Sequence, residues 1–169
     1  RSHENRRIAA YFLSQFETEV FPHLSSLRMA SIPNDANDYN VLVKDGRIAG
    51  LIDFGDMVYS QLINNLAVTC AYAMFCTVDP VHAAAMVVQE YHKKYPLTEL
   101  EISLLYYLIA GRLCISVCKS AYNALLNSEN EHHFITDSSA WRLLHQLIKI
   151  NPVKANDTFR MGCGFNTII

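Results

Sequence analysis

The stretch Ile32-Pro-Asn-Asp-Ala-Asn-Asp-Tyr-Asn-Val-Leu-Val-Lys-Asp-Gly-Arg-Ile-Ala-Gly-Leu-Ile-Asp-Phe-Gly-Asp56 decides how this chain is read. Two apolar, β-prone runs, Val41-Leu42-Val43 and Ile48 to Ile52, flank Lys44-Asp45-Gly46-Arg47. An Asp-Gly pair between such runs predicts a β-hairpin, because a two-residue type I′ turn needs positive φ at both central positions. Asp35, Asn37, Asp38 and Asn40 precede the first strand, and Asp53 and Asp56 follow the second. A hairpin returns its ends to one place, so Asn40 and Asp53 are expected to be neighbours although thirteen residues apart. Carboxylates and an amide oxygen gathered there form a donor set for Mg²⁺, a hard cation that prefers oxygen ligands. Asp and Asn are also ordinary turn formers that bond their own backbone, and Asp38 reads first as a loop-shaping or solvated carboxylate. Asp56 reads equally as the N-cap of a following helix or as a group facing a cationic acceptor.

The order Asp35, Asn40 five residues on, then Asp53-Phe54-Gly55 after a hairpin resembles the catalytic segment of kinases. The wording Asn-Asp-Ala-Asn-Asp-Tyr-Asn-Val-Leu-Val, followed by Gly-Leu-Ile-Asp-Phe-Gly-Asp-Met-Val-Tyr-Ser, is similar to one branch of that superfamily. It resembles the aminoglycoside phosphotransferase and choline kinase group, in particular its hydroxylysine-kinase-like members, some of them fused to a class III aminotransferase. Ser116-Val117-Cys118-Lys119-Ser120-Ala121 and the segment around Trp141 look similar to the end of that family's large lobe. The resemblance covers nearly all 169 residues as a single domain, but only the large, C-terminal lobe of a two-lobed enzyme.

The resemblance implies an α+β, mainly helical large lobe of a protein-kinase-like fold, with one β-hairpin carrying the catalytic segment. It implies ATP-dependent phosphoryl transfer to the hydroxyl of a small, amine-bearing molecule, with ATP or another nucleoside triphosphate as co-substrate. Asp35 would be catalytic, orienting the acceptor hydroxyl and taking its proton. Asn40 and Asp53 would hold Mg²⁺, while Asp56 and Asp38 are the candidates for binding the acceptor. The 34 residues before Asp35 contain no glycine and no lysine, whereas a kinase places a glycine-rich loop and a phosphate-pairing lysine there, on a small lobe. The chain therefore reads as a fragment, inactive alone, whose partners are a missing N-terminal lobe and, by the family pattern, a fused aminotransferase module. Two positions depart from the pattern: Pro33 stands where the family has His, and Asn65 where it has an Asp that braces the catalytic loop. Both favour the alternative of a degenerate, pseudokinase-like binding or structural module. A metal-dependent hydrolase using the same carboxylates is disfavoured, because no residue pattern supplies a water-activating base.

Composition narrows the rest. An apolar fraction of 51% against 18% charged residues suits a folded domain and excludes a disordered one. Mean hydropathy of +0.09 is high for a free-standing domain and hints at apolar surface meant for a partner lobe. A formal charge of −2 offers no basic field for nucleic acid or an anionic membrane. No stretch approaches eighteen uninterrupted apolar residues, and the N-terminus is not a signal peptide, so a cytoplasmic location is expected. Five cysteines are an odd number without metal spacing and are expected as free thiols, with Cys114 and Cys118 on one buried helical face. The scattered histidines fit no zinc pattern.

Apolar periodicity predicts helices over about Asn5 to Leu24, Met57 to Phe75, Pro80 toward Tyr91 and Glu101 to about Leu126. Asp79-Pro80 and the Thr98…Glu101 capping box mark two of the starts. The fourth helix is apolar all round its middle and is expected at the centre, where Arg112 needs an anionic partner or a route to solvent, with a structural Asp or Glu pair favoured over a substrate contact. Residues 127–133 read as a polar loop, Asp137 as the cap of a helix through Trp141, and Pro152 as the start of a last segment.

Overall fold

The computed structural model describes residues 2–75, 77–126 and 132–167, with the side chains of residues 38 and 132–137 outside that description. The Ser2 hydroxyl accepts from the Asn5 amide at 3.2 Å and opens α1, His3–Gln15, which buries Ile8 and Phe12. This satisfies one of the donors that a helix start leaves unpaired. The regular helix expected as far as Leu24 changes pitch instead. A π turn spans Phe16–Val20 and a 3-10 turn spans Phe21–Ser26. The change begins where the Phe16 ring lies against Gly111, and it tightens at Pro22, which has no N–H for an α-helical bond.

A strand follows where the sequence suggested only a connector. β1 (Met29–Ile32) pairs antiparallel with β4 (Val58–Gln61), Met29 opposite Gln61 and Ile32 opposite Val58. The helix expected over Met57 to Phe75 is therefore corrected to β4 followed by α2, Ile63–Ala73. A continuous apolar run does not distinguish a buried helix from a strand leading into one. Asp56 consequently caps no helix; the residue before α2 is Leu62, which makes no side-chain cap bond. Between β1 and β4, β2 (Val41–Lys44) and β3 (Arg47–Leu51) form a second antiparallel pair around Asp45-Gly46, with φ of 53° and 72°. The fold thus holds two small two-stranded sheets rather than one hairpin alone.

The remaining helices build the core. Asp79 accepts from the His82 amide at 3.0 Å and starts α3, Pro80–Lys94. α4, Glu99–Leu126, opens on a reciprocal capping box: Thr98 N–H donates to Glu101 at 2.8 Å and Glu101 N–H to the Thr98 hydroxyl at 3.2 Å. Arg28, just before β1, donates to the same Glu101 carboxylate at 2.5 and 2.8 Å, tying the first sheet to α4. Ile102, Leu105, Ile109 and Leu113 make α4 the central helix, packed by α1, α2, α5 (His132–Leu147) and α6 (Pro152–Gly162). α4 is long and apolar enough to cross a bilayer, yet 67% of that window is buried within the domain, as in a core helix.

Two expectations at the C-terminal end are revised. α5 begins at His132, so Asp137 lies inside the helix and does not cap it, and residues 127–131 lie outside the described residues. Cys118 is exposed while Cys114 is buried, because the α4 face that turns inward near its end is narrower than the apolar letters suggest. Cys70 is also buried and free; Cys76 lies outside the described residues.

Candidate active site

The loop between β1 and β2 is built by its own amides. The Asn37 side-chain oxygen accepts from the backbone N–H of Tyr39 and Asn40, at 2.9 and 3.1 Å, and caps a short 3-10 turn over Asp38–Asn40. The same side chain donates through Nδ2 to Asp35 Oδ2 at 3.0 Å. Asn40 Nδ2 reaches back to the Asp35 carbonyl at 2.9 Å and to Oδ2 at 3.3 Å. Asp35 and Asn40, chosen from sequence as catalytic and metal-binding residues, are thus in direct contact.

Helices α2 and α4 close the loop from behind. Tyr72 donates to Asp35 Oδ1 at 3.4 Å, and Arg112 Nη2 donates to the same oxygen at 3.2 Å. Asp35 therefore accepts from four side-chain donors, two on each oxygen, and a carboxylate has about four such sites. Burial, and then the nearby Asp35 charge, hold the Tyr72 phenol above its ordinary range, which keeps it a neutral donor. Thr69 donates to the Asn65 carbonyl at 3.0 Å and, at 3.5 Å, lies against the Ala36 carbonyl of the loop. Asn65, Thr69 and Tyr72 stand at i, i+4 and i+7, one stripe of α2 turned toward the loop. Asn65 Oδ1 and Arg112 Nε are buried without a hydrogen-bond partner among the described residues, a cost of about 1–3 kcal/mol for each such group.

Across the hairpin, the Ile52 amide donates to the Asn40 carbonyl at 3.0 Å, so Asp53 follows directly on the residue bonded to Asn40. Asp53 has φ of 60° and is exposed, and its Oδ1 accepts from the Gly55 amide at 3.3 Å. Asn34 has φ of 62°, so a left-handed residue stands on each flank of the site. Asn and Asp tolerate that region best among residues with a Cβ, and such conformations gather at functional sites. Asp56 is exposed on the turn after Asp53, and the Asp38 side chain lies outside the described residues.

The donor set fits Mg²⁺. Asn40 spends its Nδ2 on Asp35 and keeps its amide oxygen, while the exposed Asp53 carboxylate has one backbone partner. Both are hard oxygen ligands with lone pairs to spare. Sequence reasoning placed Asn37 in the polar cluster without giving it a role and missed Thr69 and Tyr72. The i, i+4, i+7 polar stripe on an otherwise apolar α2 was the signal for the last two. It did single out Arg112 as a residue needing an anion; that anion is Asp35 itself.

The Phosphotransferase enzyme family pattern matches residues 8–101, from α1 through both sheets into α4. The chain belongs to that family. It is 32% identical over 155 residues to a hydroxylysine kinase of Xenopus laevis, covering 85% of this chain and 41% of that protein. Hydroxylysine kinases of Bos taurus (30% over 153 residues, 85% and 41% covered) and Danio rerio (32% over 148 residues, 84% and 42%) are similarly related. The chain spans about two fifths of the length of these curated relatives. No solved structure matches it significantly.

Proposed function

We propose that this chain is the acceptor- and metal-binding lobe of an ATP-dependent phosphotransferase acting on the hydroxyl of a small, amine-bearing molecule. The observation that carries the reading is the loop carboxylate of Asp35, oriented by Asn37 and Asn40, next to the hairpin end that returns Asp53. Asp35 orients the acceptor hydroxyl and takes its proton late, since loose phosphoryl-transfer transition states depend on positioning more than on a strong base. Asn40 and Asp53 would hold Mg²⁺, which would supply charge neutralisation on the transferred phosphates. The name of the relatives makes a hydroxylated lysine the first acceptor to try. Asp56 and Asp38 stay the candidates to meet its amine.

The second half of the proposal is a separate nucleotide lobe, with residues 1–169 forming one domain opposite it. The exposed apolar residues of the hairpin region, among them Val43, Ile48, Phe54 and Tyr59, support it. A fused aminotransferase is no part of this reading. The test is kinetic, in the protein together with its nucleotide lobe. Asp35→Asn is expected to lower turnover by about a hundredfold or more while leaving nucleotide affinity nearly intact. Asp53→Asn is expected to weaken Mg²⁺-nucleotide binding itself. Equal nucleotide affinity in wild type and Asp53→Asn would remove Asp53 from the metal. Intact binding without transfer to any amino alcohol would favour the catalytically silent alternative.

A further inference from the structure

A cavity of about 280 Å³ lies between α1, α2 and α4. Its wall on α4 is one stripe, Leu108, Gly111 and Ile115, at i, i+3 and i+7. The middle residue of that stripe has no side chain, and a Cβ added at Gly111 would lie 3.1 Å from the Phe16 ring. Leu13 and Phe16 line the hollow from the first helix and its π turn, and Val68 lines it from α2. A hollow of roughly 150 Å³ with such walls holds a benzene-sized molecule, so this one has room for a chain of about six carbons.

The polar part of the lining asks for no charge. Arg112, its one ionic member, is already paired with Asp35, Nη2 to Oδ1 at 3.2 Å. Gln61 and Asn64 are paired with their neighbours. Asn64 Nδ2 donates to Ser60 Oγ at 3.3 Å and to Gln61 Oε1 at 3.4 Å, and Ser60 Oγ donates to Gln61 Oε1 at 3.0 Å. The described lining holds no carboxylate. A charged group placed there would lose its hydration shell for no new partner. An apolar group would exchange water for apolar contact.

Two residues join the cavity to the catalytic loop. Asn34, which lines it, precedes Asp35 in the chain, and Arg112, which also lines it, is the ion-pair partner of Asp35. We infer that the cavity is the subsite for an uncharged, apolar tail of the acceptor. The preferred substrate is then an amino alcohol carrying a hydrocarbon chain, rather than one charged at both ends. The inference rests on the phosphotransfer reading for the place of the hydroxyl at Asp35, but not for the binding of the tail. The amine is left to carboxylates outside the cavity. Each methylene moved from water to such walls is worth about threefold in affinity, and the gain ends when the cavity is full.

The test begins without turnover, so that it survives a failure of the phosphotransfer reading. Ethylamine, butylamine, hexylamine and decylamine, which have no hydroxyl to phosphorylate, are titrated into the full chain and followed by NMR. Affinity is expected to rise about threefold per methylene as far as hexylamine and to level off by decylamine. Ile115→Asp and Leu13→Asp each put a carboxylate at an exposed position of the lining, and each is expected to flatten that rise. Ile115→Leu is expected to keep it, which separates a lost apolar wall from a lost fold. The kinetic arm uses the protein together with its nucleotide lobe. There kcat/KM for 2-amino-1-hexanol is expected to exceed that for 2-aminoethanol by about tenfold or more, through KM, and the excess to vanish in Ile115→Asp. Equal affinity along the amine series, a rise that continues to decylamine, or a rise unchanged in both Asp variants would overturn the inference. Tail selectivity in binding without transfer to any amino alcohol would keep the subsite and sink the kinase reading. Transfer to a hydroxylated lysine with no gain from a hydrocarbon tail would keep the kinase and sink the subsite.

Discussion

Glu101 shows how one residue can carry two unrelated jobs. It completes the capping box with Thr98 and receives both hydrogen bonds from Arg28, while being itself buried. Burial alone would raise its pKa, but the Arg28 hydrogen bonds and the Thr98 amide outweigh it and hold the carboxyl below its ordinary value of 4.5. The unfolded chain then binds more protons than the folded one just under that value. The stabilisation is complete above pH 4.5 and is lost as pH falls through the lower folded value. Glu101→Gln is expected to cost roughly 2 kcal/mol at neutral pH, since it leaves Arg28 without its anion. The variant should also flatten the acid limb, as denaturant melts between pH 3 and 7 would record. An unchanged acid limb in the variant would exclude Glu101 as the titrating group. Residues of this kind were legible where the signal is local, as in Thr98…Glu101 and Asp79-Pro80. The partners of Arg28 and Arg112 lie 73 and 77 positions away, and no single-sequence pattern reports contacts of that range.

The hairpin of β2 and β3 is the element on which the site depends and the one with the least support. Its strands pack closely on each other and little on the rest of the domain, and an isolated two-stranded pair is marginal in water. Gly46 has φ of 72°, and an added Cβ would meet nothing within 4 Å. Gly46→Ala therefore isolates the backbone cost of the left-handed conformation, about 1–2 kcal/mol. It is expected to reduce hydrogen-exchange protection over residues 41–51 by about fivefold or more. The melting temperature of the helical core should stay where it is. A fall in both would mean that the hairpin and core unfold together. The turn was readable because Asp-Gly dictates its own φ values. β1 and β4 were not, because each strand is short and is specified by the other rather than by its own letters. The pitch change at Phe16 was hidden for the same reason, since the Phe16 ring is seated by Gly111 from another helix.

At the scale of the molecule, a continuous core contrasts with a hairpin region that leaves large apolar side chains exposed. Buried side chains from α1 to α6 form one continuous cluster around α4, whereas Tyr39, Val43, Ile48, Phe54 and Tyr59 are exposed along the hairpin and its flanks. On the proposed reading that exposed region is one wall of a nucleotide cleft. Much of the rate in phosphoryl transfer comes from positioning between two walls. Calorimetry of these 169 residues with ATP and Mg²⁺ is expected to give binding no tighter than about millimolar. Micromolar affinity, or transfer to an amino alcohol by this chain alone, would end the two-lobe proposal. The family was open to a reader of the sequence, and so was the turn that brings Asn40 and Asp53 to one end of the hairpin. The clamp of Tyr72 and Arg112 on Asp35 was not, because it exists only once three elements distant in sequence have packed.

The hairpin has a last consequence, for handling rather than for catalysis. Among the described residues neither outer edge of the hairpin has a strand partner, and Val43 and Ile48, opposite each other in the register, are 65% and 74% exposed. A ribbon with free edges and an apolar face is a template for adding further strands. Concentrated preparations of this chain will therefore stack through residues 41–51. Ile48→Lys, at the turn end of the hairpin, charges that face and is the change to make for solubility of these residues on their own.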